Sequence, residues 1–442
     1  MSSIIYMDHV LYEAAGGGNI NPFEDYQTCL DRLLTPDEST ILHVYFLHVY
    51  LRNQRREPEP TDFFDDILES FLRYLRREPE PTGFVDKILE SNSRNQRREP
   101  EPTDFVDEIL ERCPPLLLQA NKKGETPFHL AAKYGHSTVV KFLIDRAKAL
   151  PADPESGVTA AKMMLRMTNG EGDTALHEAA RNARGHVVEI LTKEDPDFSY
   201  SANVHGEPPL YIAASVGWGT EQDKVIDEIL RNCISVDYGG PNCRTALHAA
   251  ITAGDDVTAR KILVQEKELT KTTDENGWTP LHYAAYFSSW VDISTVKALL
   301  ECDASAAYIA ETTEKKRTAL HIAAIQGAID VMEEIISRYP ACCEQVDNRG
   351  WNALHYVVAA SDNEVFNKCL RIPELERLKT KKDDKGNTPF HLIAALTHKE
   401  EEWDGVYPSY KESGIYGINK QELSIANICF GDFGEIQVIN PL

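Results

Sequence analysis

The sequence has 442 residues, of which 46 are basic and 70 acidic, so its formal net charge is −24. A field of that sign repels nucleic acid and anionic membrane surfaces. It therefore excludes both as expected partners and favours proteins with basic or mixed surfaces. The nine cysteines contain no Cys-x-x-Cys pair. We expect reduced, mostly buried thiols in the cytosol rather than a disulfide framework or a zinc site.

The sequence shows no targeting or membrane-spanning segment. The N-terminus has no basic start and no long apolar core, so it does not resemble a signal peptide. Asn-x-Ser/Thr sites are absent. The longest apolar run, 41–51, is about half of a bilayer span and contains two histidines. We therefore expect a buried helix at this run and a cytoplasmic location for the chain as given.

The first 39 residues predict a pair of helices that departs from the rest of the chain. Asp8 to Ala15 predicts one helix, which the triplet Gly16–Gly18 would end. Residues 23–34 predict the second helix, because apolar residues recur there at helical spacing. The glycine triplet does not indicate a phosphate-binding loop, since no Gly-Lys-Ser/Thr follows it.

Residues 52–112 contain a shorter repeat of their own. The sequence Arg-Arg-Glu-Pro-Glu-Pro-Thr occurs at 55–61, 76–82 and 97–103, which is a period of 21 residues. Each copy continues into a Phe, Ile and Leu stripe typical of a helix, so we interpret the segment as one helix triplicated. The Glu-Pro-Glu-Pro sequence at the start of each copy predicts an extended spacer. Two alternatives remain open: tandem copies without a function of their own, and an acidic docking arm.

A four-residue motif, Thr-x-Leu/Phe-His, recurs along the chain. Clear copies begin at Thr126, Thr174, Thr245, Thr279, Thr318 and Thr388, an early copy at Thr40, and looser copies at Pro208 and Asn352. From residue 126 onward the successive spacings are 48, 34, 37, 34, 39, 34 and 36 residues. A recurrence of this length indicates stacked structural repeats rather than one globular core.

Each copy of the motif predicts a helix start. Thr is a favoured N-cap residue, and Pro is tolerated at the first helical position. A turn signal such as Asp274–Gly277 precedes the motif, and a second aliphatic stripe such as 139–144 follows it. One unit is therefore a turn, an inner helix, a short loop and an outer helix.

This pattern resembles the ankyrin repeat over most of the chain. The resemblance implies an all-α fold, an ankyrin-repeat α-solenoid with short β-hairpin turns, whose concave surface binds other proteins. It divides the chain into divergent N-terminal repeats at 1–51, the triplicated helical insert at 52–112, the regular solenoid at 113–404 and a C-terminal tail at 405–442.

Eight of the 14 histidines occupy the fourth motif position: 43, 129, 177, 248, 282, 321, 355 and 391. Successive imidazoles would lie in successive layers about 10 Å apart. That distance is too great for one metal ion to bind two of them. In the ankyrin family this histidine is a structural hydrogen-bonding residue. We therefore expect no metal site.

No catalytic arrangement is recognisable in the sequence. A nucleophile elbow, a phosphate loop and paired carboxylates in an apolar setting are all missing, and repeat regularity accounts for most polar residues. We expect no enzymatic activity and no cofactor.

Aromatic residues at turn tips and inner-helix ends are the candidate partner-binding residues. Trp278 and Trp351 each follow a turn glycine, and we expect them about 20 Å from each other on one edge. Trp218, Tyr134 and Tyr286 lie at inner-helix ends and would extend this stripe. Trp and Tyr are favoured anchors of protein interfaces. The alternative, that these rings only pack on neighbouring turns, stays open.

Three segments, 7–19, 113–126 and 416–421, resemble the plant accelerated-cell-death ankyrin proteins. The resemblance implies cytosolic ankyrin repeats followed by a region of several transmembrane helices. It also implies a role in defence and cell-death signalling at the plasma membrane. This sequence reaches Leu442 without an apolar span. We therefore expect a truncated product, a splice form or a chain given without its membrane part.

The sequence thus predicts a non-catalytic scaffold for protein–protein interaction in plant defence and cell-death signalling. A first alternative is a soluble truncated regulator that pairs with a membrane-anchored ankyrin relative through its repeats. A second alternative is an adaptor subunit of an enzyme complex.

Overall fold

A computed structural model of the chain describes residues 4–54, 102–152, 157–197, 201–360, 363–397 and 416–430. Its contacts divide the chain into two units, Met1–Phe198 and Ser199–Leu442. The first two copies of the 21-residue repeat, which have no inner-helix partners of their own and for which both stacked helices and looped-out segments are open, lie outside the described residues.

The described part of the first unit contains eight α-helices and one short sheet. The helices are α1 (His9–Gly17), α2 (Ile41–Gln54), α3 (Pro102–Arg112), α4 (Pro127–Tyr134), α5 (Ser137–Ala149), α6 (Ala160–Arg166), α7 (Ala175–Arg181) and α8 (Gly185–Glu194). The strands β1 (Ile5–Tyr6) and β2 (Leu33–Leu34) pair in parallel. Helices α1, α2, α4 and α7 pack side by side as an inner layer, and α3, α5 and α8 form the outer one.

The N-terminal segment confirms one predicted helix and not the other. Asp8 caps α1 by accepting a hydrogen bond from the Leu11 amide at 2.9 Å, and Gly18 ends the helix at a φ of 69°. The helix predicted at 23–34 is wrong. That stretch forms two 3₁₀ turns, Asn21–Tyr26 and Leu30–Arg32, and then β2. Its apolar residues are buried, but the backbone at 33–34 pairs with β1 instead of continuing as a helix.

The third copy of the 21-residue repeat forms the outer helix α3. Its apolar stripe is buried, and the ring of Phe105 lies 4.6 Å from that of Tyr45 on α2. Arg146 of α5 pairs with the Asp107 carboxylate at 2.7 Å. The imidazole of His43 reaches the Glu125 carbonyl at 2.8 Å. The layers built by α2 and α4 are therefore direct neighbours despite the long insert between them.

The described part of the second unit contains thirteen α-helices. They are α9 (Pro209–Val216), α10 (Thr220–Asn232), α11 (Ala246–Thr252), α12 (Asp256–Gln265), α13 (Pro280–Tyr286), α14 (Ile293–Cys302), α15 (Ala319–Gln326), α16 (Ile329–Arg338), α17 (Ala353–Ala360), α18 (Asn363–Cys369), α19 (Pro373–Glu376), α20 (Pro389–Thr397) and α21 (Ile425–Phe430). Antiparallel bridges close short hairpins at Gly239–Thr245, Ala310–Thr318 and Ile418–Ser424. Helices α9, α11, α13, α15, α17 and α20 form the inner layer, and α10, α12, α14, α16 and α18 the outer one. The predicted all-α fold of stacked repeats with short hairpin turns is confirmed.

Residues 416–430 differ from the tail that the sequence predicts from residue 405. Asn419 accepts hydrogen bonds from the amides of Gln421 and Leu423, both at 2.9 Å, as in the turns of the repeats. Ser424 then donates to Asn427 at 2.6 Å, and α21 packs on α20. A Ser–Asn pair stands here in place of Thr–His, which is why the motif was not recognisable in the sequence.

The Thr–His pair both caps its own helix and joins neighbouring repeats. In α13, the Thr279 amide and hydroxyl donate to Nδ1 of His282, at 3.2 and 2.8 Å. Because Nδ1 accepts, the ring proton is assigned to Nε2. Nε2 then donates to the Arg317 carbonyl at 3.3 Å. Equivalent bonds run from His43 to Glu125, His129 to Asp173, His248 to Trp278 and His355 to Asn387. The structural role predicted for the motif histidines is confirmed for these five.

The turns form a second link between repeats. Asp274 Oδ1 accepts hydrogen bonds from the Asn276 and Trp278 amides, at 2.9 and 2.8 Å, which shapes the turn. Gly277 has a φ of 81°, and a Cβ there would lie 2.3 Å from the Thr312 amide nitrogen. That amide donates to the Asn276 carbonyl at 2.9 Å. Glycine is therefore required both by the left-handed conformation and by the approach of the next turn.

Burial keeps the motif histidines neutral. It lowers the pKa of His248, His282, His321 and His355 from 6.5 to about 4. Between these two pKa values the unfolded chain binds protons that the folded chain does not. The contribution of these histidines to stability is therefore fully present above their pKa in the unfolded chain, about 6.5. It is lost as the pH falls from there towards 4.

We expect the urea midpoint of the chain, followed by circular dichroism, to be lower at pH 5.5 than at pH 7.5. Each neutral buried histidine contributes up to about 1 kcal/mol per pH unit to this decrease. The His282→Gln variant should have a lower urea midpoint than the unmodified chain at pH 7.5, but its midpoint should decrease less between pH 7.5 and pH 5.5. His186→Gln, at a side chain that is 72% exposed, should behave as the unmodified chain. Equal midpoints of the unmodified chain at the two pH values would contradict the prediction.

Candidate partner-binding site

A pocket of about 390 Å³ lies on the second unit between the turn tips and the inner helices α13 and α15. Trp278, Tyr286 and Ile325 contribute its apolar wall, and Arg244 and Lys315 contribute positive charge. We call this the aromatic pocket. Its lining comes from consecutive repeats, so its shape depends on the hydrogen bonds that join the repeats.

Trp278 is held in place at the rim of the aromatic pocket. Its Nε1 donates to the Glu311 carboxylate at 2.8 Å, and Arg317 binds the same carboxylate with two bonds of 2.7 and 3.2 Å. Burial alone would raise the pKa of Glu311, but these bonds outweigh it and lower the pKa. The carboxylate therefore stays charged and fixes the indole, which contacts Tyr286 edge-on at 5.5 Å.

The aromatic cluster continues from the aromatic pocket to the loop after α13. Phe287 lies 5.0 Å from Tyr286 and 4.8 Å from Trp290 between ring centroids. Tyr286 and Trp290 remain 44% and 57% exposed. Sequence reasoning missed Trp290. The available signal was its place in the loop between two helices, because the equivalent loops after α4 and α15 begin with glycine.

The charges around the aromatic pocket are of two kinds. Asp274 is 6% exposed, and its oxygens accept from its own turn and from the Tyr283 hydroxyl at 3.0 Å. Burial, with this bond, raises the pKa of Tyr283 to about 12. Within the described residues neither Arg244 nor Lys315 has an ion-pair partner. Glu311 is therefore paired with Arg317 and Asp274 is hydrogen-bonded by neutral groups of the protein, while these two cations have no ion-pair partner among the described residues.

Trp351 does not belong to this exposed surface. It is 8% exposed, and its Nε1 donates to Asp383 at 3.1 Å. The guanidinium carbon of Arg349 lies 4.1 Å from its ring centroid. Position 349 is equivalent to Asn276 in the turn of Trp278, and asparagine is too short to cover an indole. At Trp351 the alternative of packing on the neighbouring turn therefore applies.

The remaining predicted residues lie apart from the aromatic pocket. Trp218 is 84% exposed between two glycines and makes no aromatic contact with other described residues. Tyr134 belongs to the first unit, where it stacks on Tyr50 at 4.6 Å and lines a separate pocket of about 670 Å³. Of the five predicted residues, the structure brings together Trp278 and Tyr286.

Within the described ranges, no group of three or more His, Cys, Asp or Glu side chains is arranged to hold a metal ion. None of the helices in those ranges combines the length and apolar character that crossing a membrane requires.

The two tryptophans with contrasting burial predict contrasting stability effects. Trp351→Ala should lower the free energy of unfolding by about 3–5 kcal/mol, because it removes a packed indole and leaves Asp383 short of a donor. Trp218→Ala should change it by less than about 0.5 kcal/mol. Urea denaturation at pH 7.5 measures both free energies of unfolding. Equal decreases for the two variants would contradict the burial of Trp351.

The sequence matches a known repeat family over more than half of its length. The family described as ankyrin repeats (3 copies) matches residues 101–198, 220–307 and 288–371. These ranges include six of the motif copies, those that begin at 126, 174, 245, 279, 318 and 352, and the residues that line the aromatic pocket.

Curated proteins and solved structures of the same kind are similar to the chain. A Drosophila melanogaster protein, transient receptor potential cation channel subfamily A member 1, is 26% identical over 63% of this chain and 23% of its own length. The Arabidopsis thaliana protein ACCELERATED CELL DEATH 6 is 25% identical over 43% of this chain and 30% of its own length. The chain thus spans less than a third of either relative. The human ASB11 ankyrin repeat domain matches with 20% identity and a TM-score of 0.41, over 57% of this chain and 97% of that domain. On the family match, the chain belongs to the ankyrin-repeat family.

Proposed function

We propose that the chain is a non-catalytic scaffold that binds a partner protein through the aromatic pocket of its second unit. Ankyrin repeats mediate binding to other proteins. The observation that carries the proposal for this site is the exposure of Tyr286 and Trp290 beside a pocket whose rim, Trp278, is held by Glu311.

The energetics of binding favour such an arrangement. Covering exposed aromatic rings contributes about 25 cal/mol per Å² of apolar surface removed from water. Because Tyr286 and Trp290 each already contact Phe287, less side-chain freedom remains to be lost on binding. Trp218 is more exposed than either ring but has no such neighbours. It therefore serves as the matched control.

Within the same proposal, this scaffold acts in plant defence and cell-death signalling. Two observations support it: the resemblance of segments 7–19, 113–126 and 416–421 to the accelerated-cell-death ankyrin proteins, and the 25% identity to the Arabidopsis relative of that name.

Selection of dodecapeptides from a random display library on the full chain tests the proposed site. Selected peptides should bind Tyr286→Ser/Trp290→Ser at least about tenfold more weakly, since hot-spot aromatics contribute at least about 2 kcal/mol. Fluorescence anisotropy measures the affinities. Trp218→Ser should bind as the unmodified chain does, and all three proteins should share one urea midpoint.

Peptides that bind the double variant as tightly as the unmodified chain would place the binding surface elsewhere. Loss of binding that is accompanied by a lower midpoint in the double variant would show unfolding rather than a lost contact. In that case Tyr286→Phe/Trp290→Phe, which keeps the rings, should restore both properties.

Transient expression in leaves tests the proposed process. The unmodified chain and Trp218→Ser should both change electrolyte leakage, a measure of cell death, relative to an empty vector. The Tyr286→Ser/Trp290→Ser chain should match the vector at equal protein level. Leakage that is equal for the vector and the unmodified chain would contradict a role in cell death.

A further inference from the structure

The cations at the aromatic pocket are available to a ligand, whereas the nearby anions are not. Glu311 is bound by Trp278 and Arg317, and its side chain has no exposed surface. Asp274 is satisfied by its own turn and by Tyr283. Lys315 lines the pocket and has no ion-pair partner in the described part of the chain. The groups left to form an ion pair with a ligand are therefore positive.

Arg244 strengthens this local field. Its guanidinium carbon lies 5.6 Å from the ring centroid of Tyr283, at the edge of the aromatic pocket. Its Nε is enclosed and has no hydrogen-bond partner among the described residues. A ligand's carboxylate can bind only the other N–H groups of the guanidinium, and the two groups match in charge and in a two-bond geometry.

The apolar part of the aromatic pocket sets the second requirement. Tyr286 from α13 and Ile325 from α15 lie in the wall of the same 390 Å³ pocket as Arg244 and Lys315. A space of that size takes a large apolar side chain. A ligand that carries only charge would leave this wall in contact with water, and one that is only apolar would leave the two cations without an ion-pair partner.

We infer that the occupant of the aromatic pocket is an acidic segment of a partner protein. An apolar side chain of that segment packs between Tyr286 and Ile325, and an adjacent Asp or Glu side chain binds Arg244 and Lys315. This inference rests on the proposed function and specifies the chemistry of the partner at the same site.

The net charge of −24 predicts the opposite partner, one with a basic or mixed surface. That expectation treats the negative charge as spread uniformly over the protein surface. At physiological ionic strength a charge is largely screened beyond about 8 Å. A bound side chain therefore responds mainly to the groups that line the pocket, and these are Arg244 and Lys315 rather than the acidic outer surface.

The peptides selected on the full chain, synthesised with C-terminal amides, test the inference because side chains then supply their only carboxylates. We expect Asp or Glu beside an apolar residue in the selected sequences. Exchanging that Glu for Gln should weaken binding at least tenfold, and so should Lys315→Glu in the chain. A peptide with Lys at that position should regain affinity for Lys315→Glu. Lys316→Glu, the same charge change at the neighbouring exposed residue, should leave affinity within about twofold.

Other outcomes would contradict the acidic partner, the proposed function, or both. Peptides that require Tyr286 and Trp290 but carry no acidic residue, or are indifferent to Lys315→Glu, overturn the acidic partner and leave the proposed function standing. Peptides indifferent to Tyr286→Ser/Trp290→Ser, or a selection that enriches none, overturn both. Competition by glutarate at the peptide's own concentration would show that a small dianion suffices and would overturn the protein segment as occupant.

Discussion

The hydrogen bond from a motif histidine to the carbonyl of the next repeat is the interaction on which each unit depends. In α13, one imidazole caps its own helix through Nδ1 and reaches the Arg317 carbonyl through Nε2. A single residue therefore sets both a helix start and the position of the following turn. Because Nδ1 accepts the hydrogen bond of the Thr279 amide, it carries no proton and the ring must stay neutral. Its burial and its lowered pKa, about 4 for His282, agree with this requirement.

The aromatic pocket is a consequence of that stacking. Its walls come from α13 and α15, and its charges come from the turns at 244 and 315. No single repeat contains the pocket. The amide of Thr312 binds the carbonyl of Asn276 at 2.9 Å, so neighbouring turn tips are held at a defined separation. A ligand thus meets a surface that is formed before it binds, which reduces the entropy lost on association.

A difference at one turn position, Arg349 against Asn276, distinguishes the buried Trp351 from Trp278, the candidate partner-binding residue. Trp278 and Trp351 occupy the same position after the turn glycine, and each donates its Nε1 hydrogen to a carboxylate of the next repeat. Arg349 covers the ring of Trp351, whereas Asn276 is too short to do the same for Trp278. Sequence position alone cannot distinguish them, because cover depends on where a long side chain lies across the turn.

The sequence by itself determined the repeat, its caps and its turns, because these depend on local chemistry: Thr before His, Gly at a positive φ, and small residues on the inner face. The all-α stack and the structural role of the histidines followed from that. Tertiary structure decided the rest. It replaced the helix predicted at 23–34 by 3₁₀ turns and a strand, since β1 offered a pairing partner distant in sequence. It also joined Arg244 and Lys315 to Trp278 and Tyr286 around one pocket, because residues of successive repeats become neighbours only when the repeats stack. Trp290 was placed beside this pocket by its contact with Phe287.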